Sequence, residues 1–144
     1  MHTISENIEI REVGAPVAAG SATDDNSDRI DMQNYESVVF IASITDSAAD
    51  GTASLTIESD VEDSDANMTP IAGALAQTES AADDDINGQV LIVEVRKPAE
   101  RFLQAVRGSA TADIAFGTMI ALLKPRRTPV VNHTTVSAVT RVSD

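Results

Sequence analysis

The sequence predicts an all-β fold, a compact antiparallel β-sandwich or jelly-roll-like barrel with extended N- and C-terminal arms. Three observations carry the prediction. Apolar residues recur with period two, as in Thr52-Ala53-Ser54-Leu55-Thr56-Ile57-Glu58, the mark of a strand with one buried face. Clusters of small and acidic turn formers interrupt the chain at the spacing of a sandwich. The chain has 144 residues, 42% of them hydrophobic but only 3% aromatic. That length suits one domain, with a core built from Val, Ile, Leu and Ala. Cys is absent, so no disulfide scaffold or thiolate metal site is available.

Residues 1–28 are weakly patterned and end in Ser21-Ala22-Thr23-Asp24-Asp25-Asn26-Ser27-Asp28. They are expected to form an N-terminal arm. The sandwich domain is assigned to 29–124. Arg29-Ile30-Asp31-Met32 alternates briefly, and Ser37 to Ile44 is a continuous apolar run, expected of a central strand covered on both faces. Asp50-Gly51 and Asn87-Gly88 are both hairpin signals. Ser-Ala-Ala-Asp occurs at 47–50 and again at 80–83, read as shared turn chemistry.

Ile71 to Ser80 is Ala-rich enough for a short helix, weakened by Gly73. Gln89 to Val95 is dense in β-branched residues, as a strand should be. The stretch Pro98 to Val106 fits either a helix opened by Pro98 or a turn at Lys97-Pro98 followed by a strand. The strand is preferred, because residues 102, 104 and 106 then share a face. Ala110 to Leu123 reads as a strand broken at Gly117, where a bulge or bend is expected.

The C-terminal arm is assigned to 125–144. Pro125 and Pro129 forbid a central strand. Beyond them, Thr134-Thr135-Val136-Ser137-Ala138-Val139-Thr140-Arg141-Val142 has the alternating Val of a strand-competent tail. Such a tail either pairs with a neighbouring subunit or returns as an edge strand of its own sheet.

Charge is divided unevenly. The net charge is −13, which excludes nucleic-acid binding through a general basic field. Residues 1–72 hold fifteen acids and two bases, net −13, whereas 73–144 hold eight of each. Within 96–141 eight bases face only Glu100 and Asp113, net +6. The division suggests an acidic solvent side and a basic contact side. The sharpest feature is Lys124-Pro125-Arg126-Arg127, a basic knot suited to an acidic protein surface, since arginine pairs bidentately with carboxylates. Lys124, Arg126, Arg127, Val136, Val139 and Arg141 are therefore the candidate interaction residues.

No catalytic, cofactor or metal residues are assigned. The two histidines, His2 and His133, lie near the chain ends, and neither G-x-S-x-G nor a phosphate-cradling glycine loop is present. The acidic groups Asp60, Glu62, Asp63, Asp65 and Asp83, Asp84, Asp85 supply oxygens a cation could use, yet lack the spacing and glycine of an EF-hand. Solvated loops are the expectation. No apolar run approaches the roughly 20 residues that span a bilayer, and residues 1–6 lack the features of a signal peptide. A soluble protein, made in the cytoplasm of the expressing cell and not an enzyme, is expected.

Three phrases carry a family resemblance: Ile30 through Tyr35 to Ile41, Val95-Arg96-Lys97-Pro98 to Phe102-Leu103, and Lys124-Pro125-Arg126-Arg127. They resemble small head-associated proteins of tailed bacteriophages, some of which act as capsid decoration or cement proteins. The resemblance covers roughly 30–140. It implies a β-sandwich or barrel, often a homotrimer on the capsid exterior, with the major capsid protein as partner and no catalytic residues. The alternatives are a head-to-tail connector or tail protein, or a small Ca²⁺-dependent binding module. The longer acidic N-terminal segment departs from the family pattern.

Overall fold

A computed structural model describes residues 3–127 and 133–142. After a short helix α1 (Ile4–Asn7) come β1 (Glu9–Gly14), β2 (Val17–Gly20), β3 (Asp24–Asn26), β4 (Ile30–Asp31), β5 (Tyr35–Ser47) and β6 (Thr52–Asp60). A 3-10 turn (Asp65–Asn67) leads to β7 (Thr69–Glu79), then β8 (Val90–Arg96), β9 (Phe102–Ala110) and β10 (Ile114–Pro125). Two antiparallel sheets pack as a sandwich. Sheet A runs β1-β10-β5-β8, with β2 also on β10; sheet B runs β3-β9-β6-β7, with β4 also on β9. Counting β1 with β2, and β3 with β4, as single positions, the chain fills four positions per sheet in the winding of a jelly roll.

The core lies between the sheets. Val38, Phe40, Ala42 and Ile44 of β5 face Leu55 and Ile57 of β6, Leu103 and Ala105 of β9, and Phe116, Met119 and Leu123 of β10, all fully buried or nearly so. β6 alternates half-buried and buried positions, as its sequence period requires. The stretch from Phe102 is a strand, as preferred. The Ala-rich segment from Ile71 lies in β7 as far as Glu79 and is not a helix. Gly73 (φ +80) sits where the β6–β7 register shifts, so it serves a bulge that other residues adopt only under strain. Gly117 likewise lies in a register shift of β10 against β5.

Two expectations are corrected and one is refined. The segment 1–28 is not a free arm: β1, β2 and β3 complete the sheets, and Val13 is buried. Short outer strands bury few side chains and so leave little periodicity to read. The turns at Asp50-Gly51 and Asn87-Gly88 do not close hairpins, because β5 to β6 and β7 to β8 each cross between sheets. Their left-handed backbone is present, at Asp50 (φ 64) and Gly88 (φ 77). Turn residues specify a reversal, and strand pairing is then chosen by burial. Finally, the two Ser-Ala-Ala-Asp copies bond directly to one another. Asp50 N–H donates to Ser80 O (2.8 Å), Ser80 N–H to Gly51 O (2.8 Å) and Ala49 N–H to the Asp83 carboxylate (2.9 Å).

Arg107 departs most from expectation. One of the eight bases of 96–141 whose excess suggested a basic contact side, it instead points from β9 into the sandwich with no exposure. Its guanidinium donates to Gly117 O (2.6 Å), Ala15 O (2.7 Å) and Asp25 Oδ2 (2.6 Å), and it stacks over Phe116. A buried cation survives only when fully paired in this way.

Candidate functional site

The outer face of sheet A can be assembled from its registers. Ile10 pairs with Leu122, Leu122 with Val39, and Val39 with Glu94. In the next outward row Ile120 pairs with Ile41, and Ile41 with Ile92; beyond it, Ser43 pairs with Val90. Seven aliphatic side chains thus form a band across four strands. Ile10 is 39% exposed, Val90 49% and Ile92 52%, while Val39, Ile41, Ile120 and Leu122 are half-buried. The band continues at the α1 side into a cleft of about 440 Å³ lined by Ile4, Ile8, Ile10, Leu122 and Val142.

The basic knot begins at one end of this face. Lys124 pairs with Ser37, and Ser37 with Arg96, a row next to Leu122 and Val39. Lys124 reaches Glu36 at 3.2 Å and holds that carboxyl below the usual range, with Lys97 and Arg96 assisting. Arg126 N–H donates to Asn34 O (3.0 Å) and its Nε to Tyr35 O (3.3 Å), so it is tied to the start of β5; Arg127 is exposed. The opposite end is acidic, with Asp46, Asp83, Asp84 and Asp113 around one shallow cleft. Asp85 is engaged locally: its carboxylate accepts from Ser80 Oγ and the Ala81 and Ala82 N–H groups, which lowers its pKa.

The tail residues lie elsewhere on the face, beside β1. Thr135 Oγ1 accepts from Glu12 N–H (3.2 Å), and Arg141 Nε donates to Ser5 Oγ (2.8 Å). His133, Val136 and Val139 are half-buried and the residues between them exposed. Burial therefore repeats every three residues, not two, and 133–142 forms no strand. The tail follows the free edge of β1 through side-chain contacts, without a ladder of its own.

Lys124 and Arg126 are thus gathered with Arg96 and Lys97, followed by the exposed Arg127, while Arg141 lies by Ser5 and Ile10, and Val136 and Val139 are half-buried. The apolar band was not named from sequence. Its signal was nevertheless there, in apolar runs at 38–41 and 90–93 that exceed what one buried face needs.

Among the described residues no group of three Asp, Glu or His side chains sits at metal-binding spacing, and no helix is long and apolar enough to cross a membrane. No family model matches the chain, and no curated protein matches it. Among solved structures it is similar to one described as "CBM4 structure and function", 8% identical, with a TM-score of 0.45, covering 85% of this chain and 81% of that one. A likeness that distant carries no argument about function.

Proposed function

We propose that the chain is a non-catalytic structural protein that attaches to a larger assembly through the outer face of sheet A. The assembly is a tailed-phage head, with the major capsid protein as partner, and the chain decorates the capsid exterior as a homotrimer. The observation carrying the docking reading is the aliphatic band, flanked by Glu12 on β1 and Glu94 on β8, which meets the Lys124 row at Leu122 and Val39. A contiguous apolar patch of this kind on an isolated chain marks an interaction surface, and the basic row would orient it towards an acidic partner. The phage-head assignment is supported by the sequence phrases at 30–41, 95–103 and 124–127. Many copies making modest contacts attach avidly.

The test is co-sedimentation with heads stripped of this protein. The triple variant Lys124→Glu, Arg126→Glu, Arg127→Glu should stay folded, since these side chains sit outside the core, and bind at least about tenfold less, roughly 1.4 kcal/mol. Undiminished binding would remove the basic end from the interface. A mass-spectrometric inventory of purified virions that lacked the chain would overturn the phage-head assignment itself. A monomer of 15.1 kDa in light scattering at high protein concentration would remove the trimer.

A further inference from the structure

The outer face of sheet B holds a different anomaly. Asp60 and Gln104, both polar and both pointing away from the core, are only 8% and 2% exposed. Each carries an oxygen, Asp60 Oδ2 and Gln104 Oε1, that is buried and accepts no hydrogen bond. Buried acceptors without donors are costly and require an explanation. Their other atoms are fixed. Asp60 Oδ1 accepts from Val61 N–H (2.6 Å) and Glu62 N–H (3.3 Å), while Gln104 Nε2 donates to Ser27 O (3.0 Å). The amide orientation is set by that carbonyl, which leaves Oε1 as the free acceptor.

Register places these groups together. Gln104 is directly opposite Glu58, and Asp60 is opposite Phe102 on the same pair of strands, so Asp60 and Gln104 are diagonal neighbours within side-chain reach. The loop after Asp60 is tied down beside them, through Arg29 to Asp63 (2.6 Å) and Asn26 to Asp65 (3.1 Å). The arginines nearby are engaged elsewhere, Arg29 on Asp63 and Arg101 on Asp31.

We infer that Asp60 Oδ2, Gln104 Oε1 and the Glu58 carboxylate hold a hard divalent cation of the Ca²⁺ type on the outer face of sheet B. The donor set is all oxygen, with no imidazole or thiolate to favour zinc or copper. Two carboxylates and an amide leave the rest of the shell to main-chain carbonyls and water, a composition for which Ca²⁺ tolerates irregular geometry and Mg²⁺ does not. The ion would satisfy both orphaned acceptors. With so few charged ligands, affinity should fall in the range of extracellular modules, Kd about 10⁻⁴ to 10⁻³ M. The site is independent of docking through sheet A.

The full chain, dialysed against EDTA, is melted with about 10 mM CaCl₂ and with NaCl of equal ionic strength, since any salt screens a chain of net charge −13. Ca²⁺ should raise Tm by about 5 °C beyond the NaCl control, with one ion bound per chain in calorimetric titration. Asp60→Asn should abolish the rise, and Asp113→Asn, at the acidic end of sheet A, should leave it intact. Gln104→Glu should melt lower in EDTA yet gain more from Ca²⁺, because a third carboxylate joins the shell. An equal rise in NaCl, no rise at all, or a rise surviving in Asp60→Asn would overturn the site. Should Asp60→Asn fail to fold, Gln104→Glu decides: a Ca²⁺ shift no larger than that of the unmodified chain overturns the site.

Discussion

On β5, at the middle of sheet A, the residues facing away from the core are Val39, Ile41 and Ser43. On β6, its counterpart in sheet B, they are Thr52, Ser54, Thr56, Glu58 and Asp60. Both strands lie between two neighbours and bury their inner side chains to the same degree. The core thus makes the same demand of each, and the difference lies in what each outer face meets. Hydroxyls and carboxylates suit water, so β6 alternates. Aliphatic side chains suit a second cover, so β5 reads as a continuous run although its own chain covers one side of it.

The largest effect should separate inner from outer positions on a single strand. Phe40→Ala should destabilise the isolated chain by about 3–5 kcal/mol, the usual cost of removing a buried aromatic side chain. Ile41→Ala, one residue along, should cost less than half of that. Urea denaturation of both variants makes the comparison; equal losses would mean that β5 is already covered on both faces within one chain.

A smaller effect should separate the two faces. Val90→Lys with Ile92→Lys should leave monomer stability within about 0.5 kcal/mol per substitution, as for exposed positions generally. Binding to stripped heads should fall about tenfold or more, while Gln77→Lys, exposed on sheet B, should leave it unchanged. Equal losses from both would dissolve the distinction between the faces.

The smallest effect concerns Glu36, at the basic end of sheet A. Lys124 depresses its pKa in the folded chain, so this pair favours the folded state above the ordinary glutamate value of 4.5. The contribution fades as pH falls through the depressed folded value. Lys124→Ala should move the Glu36 midpoint upward, read by carboxyl NMR titration. An unmoved midpoint would place the cause with Lys97 and Arg96 instead.

Legibility followed burial. The strand at 52–58 was readable because one face is wet, and the strand from Phe102 because a common face at 102, 104 and 106 outweighed the helical option. β1 to β3 escaped notice because brief outer strands leave no long alternation. Nothing local marks Arg107 as a buried cation, because its partners Ala15 and Asp25 lie more than eighty residues away. Val136, Val139 and Val142 suggested alternation, but their spacing is three. The aliphatic band was half legible: the runs announced a need for cover, and only the pairing of β1, β10, β5 and β8 showed where that cover is missing.

The Arg107 knot also sets an order of events during synthesis. Its partners come from residues 15, 25 and 117, and β1 pairs with β10 from Glu9 opposite Leu123. Of the described strands, β1 and β3 are therefore made well before β10 and β9, the strands they pair with. Long-range closure of this kind slows folding. A nascent chain halted after β8 carries β1 without the strand it pairs with, and Asp25 without its cation. The sandwich therefore closes only when β9 and β10 arrive to pair with β3 and β1.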